Sequence, residues 1–213
     1  MSDPKSLDYF VISRHDEQMP LLKAYVEGSI PFPSSATNTI ILYGQYGSGK
    51  TQLARLLPEF IETSRATEDS MIDGKVQYET KFIGCGGEPP AEKQKIVSFI
   101  KERMKYAFLP QSGEFRYFIF DEVDEWLSAQ SDLKSLMSST DNRSVFILTT
   151  NFLHKLDKGL ISRAICFEMN KVEPFRYLPI LRRYYPFAEE INDLALMEIV
   201  KKADSPITLM SNS

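Results

Sequence analysis

Thr39-Ile40-Ile41-Leu42-Tyr43 runs straight into Gly44-Gln45-Tyr46-Gly47-Ser48-Gly49-Lys50-Thr51, and residues 51–62 then alternate apolar and polar positions at helical spacing. The octapeptide fits the pattern G-x-x-x-x-G-K-S/T. Its three glycines let the main chain curl so that successive N–H groups converge on an anion. The helix that follows adds the positive end of its dipole at the same point. A short β-rich run before the loop and an amphipathic helix after it, despite Pro58, supply the strand–loop–helix context the pattern needs. Such a unit belongs in an α/β fold. Its expected ligand is a nucleoside polyphosphate, with Lys50 reaching the β- and γ-phosphates and the Thr51 hydroxyl on Mg²⁺.

Three further positions fit the same chemistry. Tyr117-Phe118-Ile119-Phe120 is a buried-strand run ending in Asp121-Glu122. Ligands of open α/β sheets sit at the carboxyl ends of strands. Asp121 is therefore expected to hold Mg²⁺, directly or through water, and Glu122 to polarise the attacking water. Read alone, the pair is equally a solvated acidic turn. Ser144-Val-Phe-Ile-Leu-Thr-Thr150 is another apolar run, closed by Asn151. Asn151 would bond the γ-phosphate or orient the water; its bland reading is a turn former. Arg163 precedes a run at 164–169 and reads either as an edge ion pair or as an arginine finger serving a neighbouring subunit.

Strand runs at 39–43, 78–85, 115–120, 144–150 and 164–169 alternate with helical patterns at 51–62, 91–106, 123–137 and 156–162. The order predicts a five-stranded parallel sheet with helices on both faces. A helix at 19–27 precedes the sheet, 63–74 reads as a surface connection, and 174–184 and 191–202 are helical. The expected division is an α/β nucleotide-binding domain at 1–171 and a short helical lid at 172–213. The 213 residues are 43% hydrophobic and 25% charged, enough for a sizeable core, and the net charge of −4 speaks against DNA binding through overall charge. Cys85 and Cys166 stand far apart without zinc spacing. There is no membrane-length apolar run and no leader pattern at the N-terminus, so a cytoplasmic, non-secreted protein is expected.

Taken in order, the phosphate loop, Phe-Ile-Phe-Asp121-Glu122-Val-Asp124, Phe-Ile-Leu-Thr-Thr-Asn151 and Ser162-Arg163-Ala164 resemble the AAA+ ATPases, and among them clamp-loader small subunits, including phage ones. Arg163 lies 12 positions past Asn151, as that family spaces its first sensor and finger. The resemblance spans roughly residues 7–202. It implies ATP and Mg²⁺ bound between subunits of a homo- or hetero-oligomer, with Walker A at Gly44 to Thr51 and Walker B at Asp121-Glu122. It also implies an arginine finger in trans at Arg163, an adenine pocket lined by Val11 and Ile12, and DNA or replication proteins as partners. The sequence departs from the family in three places. The finger reads Ser-Arg-Ala, not Ser-Arg-Cys. No arginine stands near Asp204-Ser-Pro-Ile-Thr208, where a second sensor is expected. Ser213 falls where clamp loaders continue into a collar. A helicase-loader-like motor therefore stands beside a clamp loader, and a superfamily 3 helicase motor or a non-catalytic ATP-gated scaffold are the alternatives. A nucleotide kinase would need an arginine-rich lid, which the sequence lacks near the site. Lys93, Lys95 and Lys101 read either as DNA contacts or as the solvated face of their helix.

Overall fold

The computed structural model describes residues 6–73, 75–86, 90–105, 113–138 and 143–202. Five strands form where the apolar runs lie: β1 (Thr39–Tyr43), β2 (Glu79–Gly84), β3 (Arg116–Asp121), β4 (Ser144–Thr150) and β5 (Ala164–Glu168). All neighbours pair in parallel, in the order β2-β3-β4-β1-β5. Parallel strands need crossovers, and α2 (Lys50–Arg65), α3 (Pro90–Lys105), α4 (Gln130–Met137) and α5 (Lys158–Ile161) supply them, while α1 (His15–Val26) precedes β1.

The central strands β1, β3 and β4 are buried along nearly their whole length, with apolar residues through their middles, because both of their faces are covered. Strand alternation sends Ile40, Leu42, Tyr117, Ile119, Val145 and Ile147 to one face, where Met19 and Leu22 of α1 and Leu53, Leu57 and Ile61 of α2 pack on them. Ile41, Phe118, Phe120, Phe146 and Leu148 point to the other face and meet Val97 and Ile100 of α3, Leu133 and Leu136 of α4, and Leu160 of α5. The sheet edges differ: β2 is largely exposed, and β5 buries only Phe167 fully.

Several local expectations are corrected. The first helix begins at His15, a turn earlier than 19–27. α2 runs on to Arg65 and a 3-10 turn follows at Glu68–Ser70, so 63–74 is only partly a surface connection. Pro58 costs α2 one main-chain hydrogen bond, but the flanking apolar face (Leu53, Leu57, Phe60, Ile61) is buried and holds the helix together. Residues 123–137 divide into a 3-10 segment, Val123–Ala129, with a kink at Trp126, and then α4. Residues 156–162 yield only the short α5, after a 3-10 turn at Leu153–Lys155. On α3 the buried stripe is Val97 and Ile100 with Ile96 and Met104 at its edge. Helical spacing puts Ile96, Phe99, Ile100, Met104 and Ala107 on one face, yet Phe99 is 39% exposed under the cations of Lys81 and Arg103. Tyr106, the expected end of the helix, and Ala107, assigned to that face, lie outside the described residues.

After β5 come a 3-10 turn at Pro174–Tyr177, α6 (Leu178–Tyr184), a second 3-10 turn at Pro186–Glu189 and α7 (Asp193–Lys202). They enclose a small core of their own, Leu181, Ala188, Leu196 and Val200. Arg182 holds this unit together by donating to the carbonyls of Ala188 and Ile191 and to Asp193. Ion pairs Arg176–Asp16 (3.5 Å) and Arg183–Asp8 (3.4 Å) tie it to the N-terminal segment. The stretch 204–208, where a second sensor is expected, lies outside the described residues.

Candidate active site

β1 ends at Tyr43 and α2 begins at Lys50, so the loop between them must reverse tightly. Gly44, Gly47 and Gly49 take φ of 144°, 70° and 88°, conformations open to glycine at little cost. Gly44 is also confined by packing. A Cβ there would overlap the carbonyl of Met169 and stand 2.9 Å from Asn170 Oδ1. That wall is fixed: Met169 N–H donates to Tyr43 O (2.6 Å) and Gln45 N–H donates to Asn170 Oδ1 (3.0 Å). Asn170 is itself held by Ser13, whose hydroxyl accepts from the Asn170 N–H at 2.8 Å.

The Lys50 ammonium is buried and donates to the loop carbonyls of Gly44 (3.0 Å) and Gln45 (2.6 Å) and to Ser48 Oγ (3.3 Å). Burial pulls its pKa down; the charges of Asp121, Asp124 and Glu122 oppose that pull. Ser48 Oγ in turn donates to Gln45 O at 2.9 Å. The Thr51 hydroxyl, in the first turn of α2, donates to Asp121 Oδ1 at 2.7 Å. Asp121 ends β3 and Glu122 follows it, and Asn151 follows β4, so the parallel order brings them to the same sheet edge as the loop. Tyr46, Gly47, Gly49, Lys50, Thr51, Gln52, Glu122, Thr149 and Asn151 enclose one cavity of about 280 Å³. Gly44, Gln45 and Tyr46 also border a second, more apolar hollow with Phe152 and His154.

Magnesium binds in nucleotide sites through one or two protein oxygens together with phosphates, without a protein cage. Among the described residues no three His, Cys, Asp or Glu side chains come together as a cage. The hydroxyl–carboxylate pair of Thr51 and Asp121 is a donor set of the required kind. Three carboxylates act on one ammonium here. A polyphosphate would add to that negative charge, and a divalent cation would offset it. The residues therefore fit Mg²⁺ delivered with a nucleotide.

The remaining expected site residues lie elsewhere. Val11 lines a separate cleft of about 380 Å³ with His15, Pro179 and Ile180, between the N-terminal segment and α6. Ile12 is fully buried in the core and presents no surface to a ligand. Arg163 precedes β5, whose first residue pairs with Thr39, the far end of β1 from the loop. That separation is about 16 Å along the strands. The Arg163 guanidinium donates to Gly159 O at 3.0 Å. Of Lys93, Lys95 and Lys101, all on α3, Lys93 donates to Glu125 O and Lys95 pairs with Glu92. Sequence reasoning assigns no role to Thr149, Asn170 or Gln52, and names Asp124 only within the Asp121-Glu122-Val-Asp124 motif. A buried polar strand end at Thr149-Thr150 was the one available signal for the first of these.

Protein comparisons agree with this geometry. Residues 40–171, well over half of the chain, match the family model "ATPase family associated with various cellular activities (AAA)". Protein STICHEL-like 2 of Arabidopsis thaliana is 29% identical over 177 residues, which is 79% of this chain but 20% of that relative, so the chain spans about a fifth of its length. A DNA polymerase III gamma subunit-related protein of Thermotoga maritima superposes with a TM-score of 0.51 at 20% identity, over 82% of this chain and 57% of that one. A chain of the HORMA:CdnC:Trip13 complex of E. coli MS115-1 gives 0.56 at 14% identity, over 92% and 74% of the two chains. PCH-2 of C. elegans gives 0.56 at 18%, over 88% and 52%. At these identities the structural likeness speaks for the fold alone. The sequence match is decisive for kinship, and by it the chain belongs to the AAA family of ATPases.

Proposed function

We propose that the chain binds and hydrolyses Mg-ATP between subunits of an oligomer, and uses the turnover to remodel DNA or a replication protein, as a clamp loader or helicase loader does. The observation that carries the reading is the convergence of Lys50, Thr51, Glu122 and Asn151 on one cavity, with Asp121 hydrogen-bonded to Thr51 at its edge. Main-chain N–H groups of the loop and the start of α2 cradle the phosphates. Lys50 exchanges its carbonyl partners for phosphate oxygens. Thr51 and Asp121 hold Mg²⁺, which would neutralise charge on the phosphates. Glu122 accepts a proton from the attacking water, and Asn151 orients that water. Val11 borders the cleft that would take the adenine. Arg163 is too far from its own cavity to act there, so as a finger it serves the site of a neighbouring subunit. Residues 1–171 act as the nucleotide-binding domain and 172–213 as its helical lid.

The test is the ATPase rate against protein concentration, with and without primed or single-stranded DNA. Specific activity that rises with both supports shared sites and a DNA-directed motor. A rate independent of concentration overturns the shared site. Nucleotide binding without turnover leaves an ATP-gated scaffold.

A further inference from the structure

β3 and β4 pair through their main chains only as far as Phe120 and Leu148. Asp121 and Glu122 lie beyond that last pair, so the ladder does not tie them to β4. A side chain makes the connection instead. Thr149, 1% exposed, accepts the Glu122 N–H at 3.0 Å and donates its own hydroxyl to Asp121 Oδ1 at 2.6 Å. The direction of both bonds is forced, because an amide N–H can only donate and an ionised carboxylate only accepts. Thr51 donates to the same Oδ1, so two hydroxyls fill that oxygen. The other carboxylate oxygen, Oδ2, accepts no bond from the described residues and stays available.

Glu122 needs such a tie. Its backbone is at φ 57°, ψ 49°, a left-handed conformation that side-chain-bearing residues resist. Its carboxylate accepts no hydrogen bond from the described residues, so its aim rests on its backbone. The neighbouring threonine repeats the arrangement. Thr150 accepts the Phe152 N–H (3.0 Å) and donates to the buried Asp124 (2.6 Å), whose Oδ1 also accepts the Asn151 N–H (3.2 Å).

We propose that Thr149 is the positioning residue for both carboxylates, its hydroxyl fixing which oxygen of Asp121 is free for the metal and where Glu122 points. The proposal rests on the Mg-ATP reading of the cavity and deepens it. Thr149 lies in the cavity wall, and its hydroxyl acts on the reaction through the two carboxylates it holds. Removing its hydroxyl should weaken the metal's contribution and the chemical step, while leaving the phosphate cradle of Gly47 to Lys50 in place.

The test compares Thr149→Val, close in shape but without hydrogen bonds, with Thr149→Ser, which keeps the hydroxyl. A fluorescent ATP analogue is titrated in EDTA and in Mg²⁺, and kcat and KM are measured alongside. Thr149→Val should keep EDTA affinity within about twofold, while losing about 10- to 100-fold in Mg-dependent tightening and in kcat, the range for groups that orient metal ligands. Thr149→Ser should recover most of both. Thr149→Val that keeps Mg-dependent tightening and kcat within about twofold overturns the proposal. So does Thr149→Ser impaired as badly as Thr149→Val, which would assign the effect to the lost methyl. If Thr149→Val has no cooperative melting transition, Thr149→Ala replaces it under the same criteria. A wild-type chain that binds Mg-ATP without turnover removes hydrolysis from the function, yet the EDTA comparison still decides on Thr149. A wild-type chain that binds no ATP removes both.

Discussion

Replacing Gly44 with alanine attacks the site at its least yielding point. At φ 144° any L side chain is strained, a cost of about 1–3 kcal/mol. The added Cβ also meets the Met169 carbonyl and Asn170 Oδ1. Neither can retreat freely, since Met169 N–H is bonded to Tyr43 O and Asn170 takes the Gln45 N–H. Overpacking of this kind costs another ~1–3 kcal/mol. The sum, about 2–6 kcal/mol, is a large part of the 5–15 kcal/mol that holds an ordinary domain together. Urea unfolding measures it: at an m-value of about 2 kcal/mol/M the midpoint should fall by about 1–3 M. Gly84→Ala is the control. A Cβ there meets nothing within 4 Å, and stability should stay within about 0.5 kcal/mol of wild type. A Gly44→Ala midpoint indistinguishable from that of Gly84→Ala would refute the steric reasoning.

Two further outcomes are expected. Arg163→Ala should leave nucleotide affinity of the isolated chain unchanged and lower turnover in the assembly by about 10³-fold or more; equal losses in affinity and turnover would discard the finger. His15 is pulled below its ordinary pKa near 6.5, first by burial, with Arg176 and Lys23 pulling the same way and Asp16 and Asp8 opposing. The unfolded chain then takes up a proton before the folded one does. Stability from this group is complete above pH 6.5 and falls as the pH drops below it, towards the folded pKa. Urea midpoints at pH 7.5 and 5.5 should therefore differ more in wild type than in His15→Gln, and equal differences would count against it.

What could be read early was local. β1, β3 and β4 are covered on both faces, so each contains an unbroken apolar run. The loop glycines and Lys50-Thr51 are contiguous, and Asp121, Glu122 and Asn151 stand directly after apolar runs. Positions defined by distant partners stayed hidden. Glu62 reads as one more charge on the polar side of α2, yet it is 2% exposed and accepts from the N–H groups of Glu114 and Phe115 and the Tyr117 hydroxyl. Phe99 and Val97 are interchangeable by spacing, and only packing on the sheet chose between them.

The amino-acid order alone determined the strand–loop–helix unit, the alternation that makes the sheet parallel, and the residues that end its strands, because each of these is set by neighbours a few positions apart. Tertiary structure decided the rest. It set β1 between β4 and β5, which puts the loop beside both strand ends. It bonded Asn170 to Gln45, 125 residues away, and Thr149 to Asp121, 28 away. It also carried Arg163 to the opposite end of the sheet from its own cavity. Side-chain hydrogen bonds and strand order depend on how separate elements dock, and that docking is driven by non-directional burial whose pairings a local pattern does not encode.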